Sequence, residues 1–203
     1  MVSTDGGLTV LEAAILGVVV LLFAAFALHA ATGPAGQPAG LVLLALDETG
    51  RCLVLDGDVH GYALTNGSIG GADLACDQPD PSRMGAVTCS VRLFIGDMGS
   101  VDMARATVEV AAPGRIERLG WTRETPTRPG NWTIVRTGHT IPFRQADDDL
   151  LLEPGERFDL LLYPSWPLEP REAFRISITP PGGVPLIFER TVPPRITPVM
   201  DLG

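Results

Sequence analysis

The chain has 203 residues, which is room for one ordinary domain and an extra element but not for two large domains. It is 45 % hydrophobic and 19 % charged, with a formal net charge of −9, and all fifteen basic residues are Arg. An acidic chain lacks the basic footprint that nucleic-acid binding requires, and Gly 23 with Pro 18, spread without period, point to turns between short strands rather than to collagen or disorder.

No basic residue precedes Arg51. A secretory or pilin-type leader opens with basic residues, so the acidic start predicts a mature chain that begins at Met1 after a short basic leader has been removed. Residues 8–31 (LTVLEAAILGVVVLLFAAFALHAA) then carry one acid, Glu12, and one late His, His29. As a helix this stretch would rise about 36 Å, enough to cross a bilayer. It is apolar on every face, so lipid or other helices must surround it. Ala13, Ala14, Gly17, Ala24, Ala25 and Ala27 would let neighbouring backbones approach closely. The candidate assembly residues on it are Leu8, Leu11, Glu12, Ile15, Val19, Leu22, Phe23 and Phe26. Glu12 reads in two ways: as a carboxylate that meets an amine of a neighbouring copy, or as the third position of a Thr9-x-x-Glu12 capping box at the positive end of the helix.

Residues 32–50 form a Gly/Pro-rich link in which Pro34 and Pro38 remove backbone donors. Within it LVLLAL, residues 41–46, is too short for its period to separate strand from continued helix. From residue 51 to 203 the pattern is β. Short runs bounded by Gly, Pro, Asn or Asp occur at residues 52–55, 59–64, 87–95, 106–110, 132–136, 157–163, 174–178 and 185–190. In Phe174-Arg175-Ile176-Ser177-Ile178 the apolar residues fall on one face. Some eight strands with turn-rich links predict a sandwich or barrel.

Cysteine is present three times, at Cys52, Cys76 and Cys89, without the spacing of a zinc site. Cys76 and Cys89 enclose a loop suited to a disulfide in an oxidising compartment, and three buried thiols are the alternative. Asn66-Gly67-Ser68 and Asn131-Trp132-Thr133 both match the N-glycosylation sequon. Such triplets also arise by chance, and Asn-Gly is a favoured hairpin turn. Asp147, Asp148 and Asp149 offer oxygens that a cation such as calcium takes, but EF-hand spacing is missing and a solvated turn is the favoured reading; Asp56 and Asp58 read the same way. His60 and His139 have no Ser or Cys partner motif, and no zinc-protease, phosphate-loop or nucleophile-elbow pattern occurs. Trp121, Trp132 and Trp166 read as core or interface residues. The chain is therefore expected not to be an enzyme and to carry no cofactor.

Several segments together resemble archaellins, the filament proteins of the archaellum. Residues 7–16 (GLTVLEAAIL) are similar to that family's N-terminal helix, and residues 53–62 (LVLDGDVHGY) to its first strand after the helix. Residues 152–158 (LEPGERF) resemble its Leu-x-x-Gly-Glu turn, and residues 178–193 (ITPPGGVPLIFERTVP) its C-terminal hairpin, the most specific of the matches. The segments span most of the chain in the family's order. The link after Ala31 is short and rich in Pro and Gly where the family continues a long helix. The resemblance implies an α+β chain: a long N-terminal hydrophobic helix, residues 1–31, followed by an Ig-like all-β sandwich over residues 51–203. It implies a homopolymer at the cell surface, a motility filament with the helix in its core and the β domain outside. The implied partners are copies of the chain itself, a pilus-type assembly machine, a leader peptidase, and the cytoplasmic membrane in which subunits wait. Two other readings stay open: an adhesive pilin, and a membrane-anchored β domain that remains monomeric. Neither Lys nor Arg lies beside the apolar segment as it does in a permanent anchor.

Overall fold

The computed structural model describes residues 52–94, 99–141, 144–147 and 149–203. They all belong to one compact unit, Ala45–Gly203. In chain order the strands are β1 (Leu53–Leu55), β2 (His60–Leu64), β3 (Gly67–Ile69), β4 (Ala72–Leu74), β5 (Asp80–Leu93), β6 (Val101–Asp102) and β7 (Thr107–Ala112). They continue with β8 (Arg115–Trp121), β9 (Asn131–His139), β10 (Leu151–Leu152), β11 (Glu156–Tyr163), β12 (Ala173–Thr179), β13 (Leu186–Thr191) and β14 (Val199–Asp201). A 3-10 turn, Met103–Arg105, is started by the Asp102 carboxylate, which accepts from the Ala104 N–H.

Ten strands make one sheet in the order β13-β12-β7-β8-β9-β11-β5-β2-β14, with β1 also on β5. Every pairing is antiparallel except β8 with β9, where Gly120 lies opposite Asn131 and Trp121 opposite Trp132. The two indoles meet there with ring centres 4.7 Å apart. The long strand β5 is the spine, shared by β1, β2 and β11.

Alternation explains how one sheet encloses a core. On β11 Phe158, Leu160 and Leu162 face one side, and on β5 Val87, Cys89, Val91 and Leu93 face the same side. From the other end of the sheet, Val108 and Val110 of β7, Phe174, Ile176 and Ile178 of β12 and Phe188 of β13 join the same buried cluster. A flat ten-stranded sheet could not bring these residues together; this one curls, as the twist of strands allows. Its two ends touch: the Arg190 Nε of β13 donates to the Gly203 carbonyl just beyond β14, at 2.6 Å. The opposite face of β5 and β11 is covered by the β3–β4 hairpin, whose Ile69 and Leu74 pack on Ala86, Leu161 and Tyr163. The hairpin is tied back by the Ala75 N–H to the Thr127 carbonyl and by the Thr127 N–H to the Asp73 carbonyl.

The α+β, Ig-like sandwich expectation is overturned. The described residues contain no α-helix, and their core lies within one curled sheet rather than between two separate ones. The parallel β8–β9 contact makes that continuity, joining two antiparallel sets that a sandwich would keep apart. Each of the eight expected runs corresponds to an observed strand, with Ile95 outside the described residues. β8 was not expected, although Pro113-Gly114 marks its turn from β7 and Gly114 takes φ 76°. The segment 1–31, its assembly residues Leu8, Leu11, Glu12, Ile15, Val19, Leu22, Phe23 and Phe26, and the link 32–50 lie outside the described residues. Among the described residues no helix is long and apolar enough to cross a membrane.

Candidate functional site

The main polar feature of the domain lies on the outer face of the sheet where β1, β5, β11 and β9 run side by side. Outward positions of a half-buried strand are where charge is tolerated. Here they carry Ser90 and Arg92 of β5, Arg157 and Asp159 of β11 and Arg136 of β9, with Asp56 just after β1. Asp56 is shared by Arg92 (3.2 Å) and Arg157 (3.7 Å), and Asp159 by Arg136 (2.6 Å) and Arg157 (3.5 Å). The Ser90 hydroxyl donates to Asp159 at 2.5 Å. The ladder registers create this chain of pairs, since Ser90 and Arg136 both lie opposite Asp159. It borders a groove of about 590 Å³, also lined by Asp58, His60, Tyr62, Thr88 and Val135.

Chemically this is a latticed wall. Each of the three guanidinium groups faces a carboxylate, so the network cross-links four strands and offers a near-neutral polar surface. Exposed pairs of this kind add about 0–1 kcal/mol each and set surface character more than stability. Among the described residues no group of three or more His, Cys, Asp and Glu side chains could hold a metal ion. His139 is structural: its Nδ1 accepts from the Ile141 N–H at 3.0 Å. A second latch stands on β8, where the Arg115 guanidinium lies 4.2 Å from the centre of the Trp166 ring and pairs with Glu172 at 2.6 Å.

The sites expected from sequence are scattered over the domain. Asp56 is an ion-pair acid, shared by Arg92 and Arg157. Asp147 and Asp149 are loop caps, accepting from the N–H groups of Asp149 (3.3 Å) and Leu151 (2.7 Å); Asp148 lies outside the described residues. No disulfide joins Cys76 and Cys89. Cys89 points into the main core on one face of β5, where burial pushes its thiol up to about 12. Cys76 sits beside Tyr163, whose ring packs on the opposite face of the sheet, so the sheet itself separates the two sulfurs. Asn66 is in the exposed turn between β2 and β3, and Asn131 opens β9. Trp132 is fully buried, while Trp121 and Trp166 pack against the same core from its margin.

Sequence reading missed the ion-pair wall. Its signal was present: Ser90 and Arg92 alternate with buried Cys89, Val91 and Leu93 along one strand. Which acid each Arg meets depends on register between strands far apart in sequence.

The described domain is a curled all-β sheet with a long central strand and an ion-paired outer wall. Solved structures place it: the fold is that of archaeal flagellins. The chain matches the structure described as the archaeal flagellum of Methanospirillum hungatei strain JF1 at a TM-score of 0.52 and 17 % identity, covering 96 % of this chain and 99 % of that one. It matches the crystal structure of archaeal flagellin FlaB1 from Methanocaldococcus jannaschii at a TM-score of 0.52 and 13 % identity, over 74 % of this chain and 95 % of that one. A fainter likeness, at a TM-score of 0.41 and 16 % identity, is to the archaellum periplasmic stator protein FlaG from Sulfolobus acidocaldarius, over 68 % of this chain and 97 % of that one. No protein-family model and no curated protein sequence matches the chain.

Proposed function

We propose that this chain is a structural subunit that polymerises into an archaellum-type motility filament at the cell surface. The observation that carries the reading is the near end-to-end likeness to the Methanospirillum hungatei flagellum, 96 % of this chain on 99 % of that one. Two further observations support it: the strongly apolar stretch at residues 8–31, and an outer domain whose surface charges are held in ion pairs between neighbouring strands. In this reading the apolar stretch lies in the membrane before assembly and against copies of itself afterwards. A pilus-type machine and a leader peptidase act on the subunit, and the β domain faces solvent. Exchanging lipid for neighbouring apolar segments gains little hydrophobic energy, so close packing between small residues must hold the core.

Val19→Asp tests this directly. An unpaired carboxylate in an apolar core costs several kcal/mol, on the order of 3–5 kcal/mol, so cells making only this variant should shed no filaments visible by electron microscopy. The outer domain should still be found by immunoblot in the membrane fraction. Filaments of normal length from Val19→Asp would remove the apolar stretch from the core and this function with it.

A further inference from the structure

Asparagine occurs at two positions, Asn66 and Asn131, and the fold gives the two side-chain amides opposite chemical prospects. The amide carbon of an asparagine can be attacked by the backbone nitrogen of the next residue. Closing that five-membered ring needs a small following residue and a backbone that can bend. Asn131 has neither. The fully buried Trp132 follows it, and both residues are held in β9 between β8 and β11. The Asn131 Nδ2 also donates to the carbonyls of Arg128 (3.1 Å) and Pro129 (3.4 Å), closing the turn before β9.

Asn66 has both. Gly67 follows it, and each of the two is exposed in the turn that leads into the β3–β4 hairpin. A Cβ on Gly67 would meet no atom within 4 Å, so the space beside it is open. Gly67 makes the outermost pair, with Leu74, of a two-stranded ribbon with three residues in each strand. A ribbon of that size is marginal by itself, and its ends open most readily. The Cys76 N–H donates to the Asn66 Oδ1 at 2.7 Å. That bond orients the amide and places a donor on the oxygen where negative charge gathers when a nitrogen attacks the carbon.

We propose that Asn66 is a site of spontaneous deamidation, with the chain itself as the nucleophile and water as the only co-reactant, and that Asn131 is inert. Hydroxide takes the Gly67 N–H proton, the Gly67 nitrogen bonds to the Asn66 Cγ, and the Cys76 N–H holds the oxyanion that forms. The Cγ–Nδ2 bond then breaks, and Nδ2 takes a proton from water and leaves as ammonia, which returns the hydroxide. Water opens the cyclic imide at one of its two carbonyls. One opening leaves an aspartate; the other leaves an isoaspartate, whose main chain runs through Cγ. Nothing is oxidised or reduced. Either product adds a negative charge to a chain already at −9. The isoaspartate also lengthens the main chain just before the Gly67–Leu74 pair, in the hairpin that covers Ala86, Leu161 and Tyr163.

The test is peptide mapping of the full-length chain after incubation, folded, in mildly alkaline buffer. We expect the peptide containing Asn66 to gain the mass of an NH2-to-OH exchange progressively and to separate into two products of equal mass. One of them should accept a methyl group from an isoaspartate methyltransferase. The conversion should quicken as pH is raised, and the peptide containing Asn131 should stay unchanged. Gly67 does not have a positive φ, so Gly67→Ala fits the fold, and its methyl group should abolish the increment over the same interval. An Asn66 that stays intact in the folded chain while the denatured chain converts would show that the hairpin protects the turn and would overturn the assignment. Conversion of Asn131 in the folded chain, or an increment that persists in Gly67→Ala, would overturn it as well. The reading does not depend on polymerisation, so its failure would leave the proposed filament standing.

Discussion

Glu156 shows how one side chain can make the domain sensitive to pH. It is 5 % exposed, at the start of β11, and its Oε2 accepts from the Glu153 N–H at 3.1 Å. Burial pushes its carboxyl above the usual value, more strongly than the hydrogen bond from the Glu153 backbone lowers it, and the neighbouring Asp147 and Glu153 charges push the same way as burial. A pKa raised on folding means that the folded state binds the proton more tightly. The group's stabilisation is therefore full below its unfolded pKa and is lost as pH rises through the folded value. Glu156→Gln removes that slope. The melting temperature of the variant, measured against the parent, should improve as pH rises above the ordinary carboxylate value and level off once pH passes the raised folded value. A difference that stays constant with pH would show that Glu156 does not titrate on folding.

The thiols make a second test at this scale. With Cys76 and Cys89 on opposite faces of the sheet, reductant should leave the melting temperature unchanged. Cys89, 2 % exposed with its thiol held near 12, should resist alkylation in the folded protein and react once denaturant is added. Cys89→Ser would place a hydroxyl in an apolar core and should cost about 1–3 kcal/mol. Rapid labelling of native Cys89 would contradict its placement.

Among the elements, the β8–β9 junction matters most. Two antiparallel sets meet there by only two parallel pairs, so side-chain packing has to hold what few backbone bonds can. Trp132, fully buried, supplies that packing against Trp121. Trp132→Ala should destabilise the domain by about 3–5 kcal/mol and abolish the near-ultraviolet dichroism of the indole pair. Loss of the dichroism without loss of stability would mean that the sheet is continuous without the tryptophans. The β10–β11 turn adds a detail of the same kind. Gly155 takes φ +86° with the His139 ring 2.8 Å from where a Cβ would stand, so a glycine serves both conformation and contact.

For the whole molecule, charge sets a limit on assembly. A net charge of −9 makes copies repel one another if their outer domains stand side by side. The ion-pair wall neutralises one face of the domain but does not change the total. Screening lengths fall from about 30 Å at about 0.01 M salt to about 8 Å at about 0.15 M. Dissociation of purified filaments on heating should therefore move to higher temperature as NaCl is raised through that range. A melting temperature indifferent to salt would assign filament stability to the apolar segment alone.

Much of the β domain was legible in the sequence. Alternation in β12, turn residues around β11, and Pro and Gly between runs are local signals, and each marked strand formed near its expected place. The hydrophobic stretch at residues 8–31 was equally plain, because composition alone defines it. The arrangement was not legible. Register and curl depend on contacts between residues far apart in the chain, such as Ser90 with Asp159 and Arg190 with Gly203. Hence one curled sheet stands in place of two packed ones, Cys76 and Cys89 lie on opposite faces of it, and two equal sequons become one exposed turn and one core strand. Period and composition act along the chain and can be read there; face, partner and burial exist only once the chain has closed on itself.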